Sequence, residues 1–208
     1  MELLDPVEVR VLGALLEKEA TTPDYYPLSL NALVSACNQK SNREPVVSYD
    51  DSDVSDAILR LREKKLAEVI TGSGRVSRYA QRISQSLNLG RRESAVLCPL
   101  LLRGPQTLGE IKDRSERMHA FTDLAEVERV LESLSGWPGG ALVAKLMRQP
   151  GQKESRYAHL LAGESAAVSD IEAQAEPAAS SRLDRLEEEV RQLRAELDQL
   201  RKRFDEFI

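Results

Sequence analysis

Glu8-Val9-Arg10-Val11-Leu12-Gly13-Ala14-Leu15-Leu16, near the start of the chain, has a counterpart in Glu93-Ser94-Ala95-Val96-Leu97-Cys98-Pro99-Leu100-Leu101. In both, a glutamate leads apolar residues spaced to share one helix face. Two more matches follow in the same order. Val54-x-x-Ala57-Ile58-x-x-Leu61 returns as Val127-x-x-Val130-Leu131-x-x-Leu134, and Ser77-Arg78-Tyr79-Ala80 returns as Ser155-Arg156-Tyr157-Ala158. The offsets are 85, 73 and 78 residues. One such match is coincidence; three in order mean two copies of one unit.

Each copy reads alike. A first helix runs from Pro6 to about Glu19, with Val7, Val11, Leu12, Leu15 and Leu16 on one face. A second starts after Pro27, and in copy two at Thr107-x-x-Glu110, a capping box. A third spans Asp53 to Lys65, and Asp123 to Ser135. Two β-rich runs then flank a turn: Ala67–Thr71 and Arg75–Ala80, then Leu142–Met147 and Ser155–Leu160. Gly72, Gly74 and Gly151 supply the turns. Three helices and a hairpin form a winged helix. The predicted fold class is mainly α with small β-hairpin wings (α+β): two tandem winged-helix domains, 1–86 and 87–161, then a linker, 162–181, and a coiled-coil helix, 182–208.

The tail carries the heptad. Leu183, Val190, Leu197 and Phe204 alternate with Leu186, Leu193, Leu200 and Phe207 as a and d positions. In a parallel dimer Glu189 meets the partner's Arg194 and Glu196 meets the partner's Arg201, pairs of opposite sign. This predicts a homodimer; the alternative is a helix folded back on its own domain. The Ala-, Ser- and Glu-rich linker before it has too few large apolar residues to order itself.

Composition narrows the function classes. No apolar run approaches the ~20 residues of a membrane span, and the N-terminus has no signal-peptide pattern. Cys37 and Cys98 form no CxxC spacing, which fits reduced thiols and a cytoplasmic location. The net charge of −5 is uneven: −2 over 1–86, +2 over 87–163 and −5 over 164–208.

Residues 15–46, with Ala36-Cys37-Asn38-Gln39-Lys40-Ser41-Asn42-Arg43-Glu44-Pro45 at their centre, closely resemble the bacterial YceH family. The likeness continues through Leu100-Leu101-Leu102-Arg103-Gly104-Pro105-Gln106-Thr107, Ala125-Glu126-Val127 and Glu154-Ser155-Arg156-Tyr157, and into the tail. The resemblance implies a tandem winged-helix fold and carries over no catalytic residues.

The residues themselves offer no catalytic constellation. His119 and His159 have no patterned Cys or carboxylate cluster beside them, so no metal or cofactor is expected. Cys37 lacks a base and an orienting group, and reads as a small buried hydrophobe. Binding is the remaining class. Asn38, Gln39, Lys40, Asn42 and Arg43 can contact phosphates or base edges; they can equally tie down a long loop. Arg60, Arg62, Lys64, Lys65, Arg75, Arg78 and Arg82 outnumber Glu63 and Glu68 along helix three and the first wing. Lys145, Arg148, Lys153 and Arg156 mark the second wing, against Glu154. Such clustering is an electrostatic footprint for double-stranded DNA, or ordinary solvated surface. Against DNA, the third helices begin with Asp50, Asp51, Asp53 and Asp56, and with Asp123, Glu126 and Glu128. Carboxylates suit a helix N-terminus but repel phosphate. Two functions follow: a dimeric, non-enzymatic regulator touching DNA through its wings, or an adaptor docking a protein partner.

Overall fold

A computed structural model describes residues 2–71, 77–148 and 152–163. Nearly every long helix begins where a side chain can satisfy its free N–H groups. α1 (Pro6–Thr21) is capped by Asp5 in a reciprocal box with Glu8. In α2 (Leu30–Cys37) the Ser29 hydroxyl accepts from the Ala32 amide. α3 (Asp51–Glu63) opens on an Asp50/Asp53 box. That box starts the helix earlier than the expected Asp53, because Asp53 is its third residue and not its cap. β1 (Ala67–Ile70) and β2 (Arg78–Gln81) form the first hairpin. They are shorter than expected and are followed by an unanticipated turn of helix, α4 (Ile83–Ser86). α5 (Arg91–Arg103) follows Gly90, α6 (Leu108–Ser115) opens on the expected Thr107/Glu110 box, and α7 (Leu124–Ser135) is capped by Asp123. β3 (Val143–Lys145) and β4 (Tyr157–His159) close the second hairpin. The described residues are thus mainly helical with two small antiparallel hairpins, an α+β arrangement.

The repeat survives in the geometry. α2 and α6 are both eight residues long. In the first hairpin Ala67 pairs with Gln81 and Ile70 with Arg78; in the second Val143 pairs with His159 and Lys145 with Tyr157. In each half the residue two before the second helix bridges the returning strand. Leu28 and Tyr79 exchange backbone hydrogen bonds of 3.1 and 2.7 Å, Gln106 and Tyr157 of 2.9 and 2.7 Å. The preceding proline carbonyls accept matching arginines: Arg78 Nη1 donates to Pro27 at 2.8 Å and Arg156 Nη1 to Pro105 at 2.9 Å. Tyr157 is buried, whereas Tyr79 is half-buried.

α1 and α5 form the spine. Both are buried nearly all round, α1 from Glu8 to Glu17 and α5 from Ala95 to Leu102. A helix so enclosed packs neighbours on every side: α1 touches α2, α3 and also α5. A Cβ at Gly13 would lie 2.9 Å from Leu102 Cδ2 and 3.0 Å from Leu101 Cβ, so the close approach of α1 to α5 needs glycine there. Gly13 and Cys98 occupy equivalent places in the repeat and meet each other, Cys98 Sγ donating to Gly13 O at 3.7 Å. Equivalent positions in contact indicate a near two-fold relation between the halves. The start of the first half also reaches the end of the second, Leu4 N donating to Leu161 O at 2.8 Å. The halves read from sequence as separate domains therefore share one hydrophobic core within a single compact unit, Met1–Val168.

Pro99 lies inside α5 and offers no N–H to the Ala95 carbonyl. The Ser115 hydroxyl, fully buried on α6, donates to that carbonyl at 2.8 Å instead. From residue 164 the expected linker and the heptad residues Leu183, Leu186, Val190, Leu193, Leu197, Leu200 and Phe204 lie outside the described residues.

Candidate functional site

Enclosing α1 on all sides buries three of its charged residues, Glu8, Arg10 and Glu17. Each must then find a partner inside the protein. Glu8 takes Lys64 Nζ at 2.7 Å, with Arg60 Nε at 3.7 Å. The other two are met by the loop between α2 and α3, residues 38–50, which is longer than its counterpart, 116–123. Arg10 donates to Cys37 O at 3.1 Å and to Pro45 O at 2.6 Å. Glu17 receives Arg43 Nη1 at 3.2 Å and Nη2 at 2.6 Å.

Arg43, a candidate DNA contact by sequence, is 1% exposed and so is closed to phosphate. Its guanidinium also donates to Ala36 O at 3.1 and 2.9 Å and to Gln39 Oε1 at 3.2 Å. Burial pushes the Glu17 carboxyl up, and the Arg43 hydrogen bonds and charge, helped by Asn42 and Lys18, bring it down to about 2. Glu17 is therefore a carboxylate at neutral pH. The amides of the loop act with it. Asn38 clamps Tyr49 through both backbone groups, at 2.7 and 2.9 Å. Asn42 Nδ2 donates to Glu17 Oε1 at 3.0 Å. Gln39 Oε1 also accepts from Lys18 Nζ at 3.3 Å. Of the two readings of this loop, the geometry supplies the tie-down; only Lys40 of its cations is exposed.

The remaining basic candidates divide by what they already touch. Arg60 pairs with Asp5 at 2.9 Å, and Lys64 with Glu8. Arg156 is half-buried and lies 3.1 Å from Glu110 Oε2. Arg78 is exposed beyond its bond to Pro27. Lys145, Arg148 and Lys153 are exposed. Among the described residues none of these three has a carboxylate at ion-pair distance; Lys145 Nζ lies 5.6 Å from the Tyr157 ring. Arg75 lies outside the described residues.

The cysteines and His159 are enclosed, while His119 is half-buried. Both cysteines are buried and free, and burial raises both thiols, Cys37 to about 12. His119 packs edge-on against Phe121, with ring centroids 4.6 Å apart. His159 is buried in β4, and burial lowers it to about 4. Among the described residues no three His, Cys, Asp or Glu side chains gather where a metal could sit. No described helix is long and apolar enough to cross a membrane.

Fold and loop define a helical chain of two repeated units with an internally tied insertion in the first. It belongs to the DUF480 family, whose model, described as "Protein of unknown function, DUF480", matches residues 4–152; this agrees with the resemblance to the YceH family. A UPF0502 protein of Solibacter usitatus is 53% identical, over 97% of this chain and 98% of its own length. One of Pelobacter propionicus is 50% identical, over 99% and 96%, and one of Vibrio atlanticus 44%, over 96% and 95%.

Proposed function

We propose that each half is a winged helix and that the chain binds double-stranded DNA through its two wings, as a non-enzymatic regulator acting in the cytoplasm. The bridges Leu28–Tyr79 and Gln106–Tyr157 support the winged-helix reading, because they add a short third strand to each hairpin where that fold has one. The observation that carries the DNA reading is the set of exposed cations on the second hairpin, Lys145, Arg148 and Lys153. Glu154 stands beside Lys153, but no described carboxylate lies at ion-pair distance from any of the three, so counterion release on meeting phosphate is available to them. Arg78 adds a fourth exposed cation on the first hairpin. The third helices do not read bases in this scheme. Asp50 and Asp53 are engaged in the cap of α3, and Asp51 and Asp56 are exposed. Contact is therefore to the backbone, weakly dependent on sequence and strongly dependent on salt.

The test is fluorescence anisotropy on a random duplex, with the full chain, at about 50 and 200 mM salt. R148E/K153E should weaken binding to every sequence alike, and each lost phosphate contact should lower the salt slope by about 0.9. Absence of wild-type binding at the lower salt removes the reading. A second reading, docking of a protein partner, is favoured by one feature: Leu59 is 49% exposed on α3, the helix that bears Asp51 and Asp56. An apolar side chain beside carboxylates suits a basic partner surface. L59E would then abolish capture of that partner and leave DNA binding intact.

A further inference from the structure

A cleft of about 610 Å³ opens between the two halves, bordered by α1 and the tied loop on one side and by α5 and α6 on the other. Lys18, Lys40 and Ser41 line it from the first half, Asp113, Arg114 and Arg117 from the second. Glu17 also lies in its wall, its charge shared between Arg43 at 2.6 Å and Lys18 at 3.2 Å. Lys40, Arg114 and Arg117 are then left facing Asp113. Among the described residues neither Lys40 nor Arg117 has a carboxylate at ion-pair distance. Arg114 reaches Glu110 with Nη2 at 3.5 Å, while its Nη1 is buried with no hydrogen-bond partner. A desolvated guanidinium donor without an acceptor is costly unless something else supplies one.

We propose that this cleft binds a phosphorylated small molecule. Guanidinium and ammonium groups with a hydroxyl among them form a donor set for phosphate oxygens, and the net positive charge of the lining suits an anion. The volume exceeds what phosphate needs and falls in the range of cofactor and metabolite sites. Pro99 and Met118 give apolar wall for an organic portion. The first-half wall is rigid before binding: Asn38 clamps Tyr49, and Gln39 and Asn42 are bonded to Arg43 and Glu17. Little ordering is then left to oppose association. Because the ligand would touch both halves, binding would stiffen the α1–α5 packing. The inference is independent of the DNA reading, since no wing residue lines the cleft.

Titration calorimetry of the full chain with pyrophosphate tests it. One site per chain is expected. K40A/R117A removes two exposed side chains, so its melting should match wild type, and its affinity should fall at least about tenfold, as for lost charge-assisted contacts. K40R/R117K keeps the charge and should retain binding. R148A/K153A, on the second hairpin, should bind as wild type does. No heat at about 10 mM pyrophosphate, undiminished binding by K40A/R117A, or equal loss in R148A/K153A overturns the proposal. Displacement of pyrophosphate by a random duplex also overturns it, by making the cleft part of a nucleic-acid surface.

Discussion

Arg43→Met removes a guanidinium whose side chain is wholly buried and leaves the Glu17 carboxylate, 11% exposed, with only Lys18 at 3.2 Å and the Asn42 amide at 3.0 Å. Methionine keeps much of the volume, so the cost is electrostatic and not a cavity. Breaking a buried pair from one side costs about 3–5 kcal/mol. The Glu17 carboxyl gives a second route to the magnitude. It is held at about 2 against an ordinary 4.5, and at ~1.4 kcal/mol per pKa unit this is about 3 kcal/mol of stability at neutral pH. That figure is shared among Arg43, Asn42 and Lys18, and the last two stay in place, so the expected loss is at most about 3 kcal/mol. For a chain of this size that is a fall in Tm of up to roughly 6–12 °C. The pH dependence is also signed. A lowered folded pKa stabilises above about 4.5 and loses that stabilisation as pH falls towards about 2. In Arg43→Met the ionised Glu17 keeps only Lys18 and Asn42 as partners, so protonation relieves it and the gap to wild type narrows as pH drops from 7 to 4. Urea unfolding at pH 7, 5 and 4 measures this, with Glu17→Gln/Arg43→Met as the closing corner of the cycle. That double variant should be more stable than Arg43→Met alone. A loss below about 1 kcal/mol, or a gap that ignores pH, would refute the assignment of this pair as a buried strut.

Ser115→Ala orphans the Ala95 carbonyl opposite Pro99 and should cost about 1–3 kcal/mol in urea unfolding; Ser115→Ala/Pro99→Ala restores the helix N–H and should recover part of it. His159 is held neutral by burial, at about 4 against 6.5, so wild-type stability should decline as pH falls from about 6.5 to 4. His159→Phe should flatten that decline in thermal melts, and an unchanged profile would point to other carboxylates or histidines. Deleting residues 182–208 should convert a dimer to a monomer in sedimentation, as the heptad predicts; a full-length chain that sediments as a monomer at tens of micromolar rules out tail-driven assembly.

Local features of this protein were decided by the sequence alone. The repeated apolar spacing of Val11-Leu12-Leu15-Leu16 and Val96-Leu97-Leu100-Leu101 specifies both spine helices, because a 3.6-residue period is a property of neighbours along the chain. The Thr107/Glu110 box was legible for the same reason, its partners being three residues apart. The tertiary structure alone decided the fate of Arg43. A sequence shows a cation in a polar loop; whether it meets phosphate or Glu17 depends on the burial of α1 by α5, contributed by residues some 85 positions away. Desolvation turns on that distant packing, and it converts a surface charge into a structural one. The same packing merges two sequence repeats into one core, pairs Ser115 with the carbonyl that Pro99 leaves open, and gathers Lys18, Lys40, Arg114 and Arg117 around one cleft. None of these cations is adjacent in sequence to those of the opposite wall, so only the long-range approach of the two halves assembles the site.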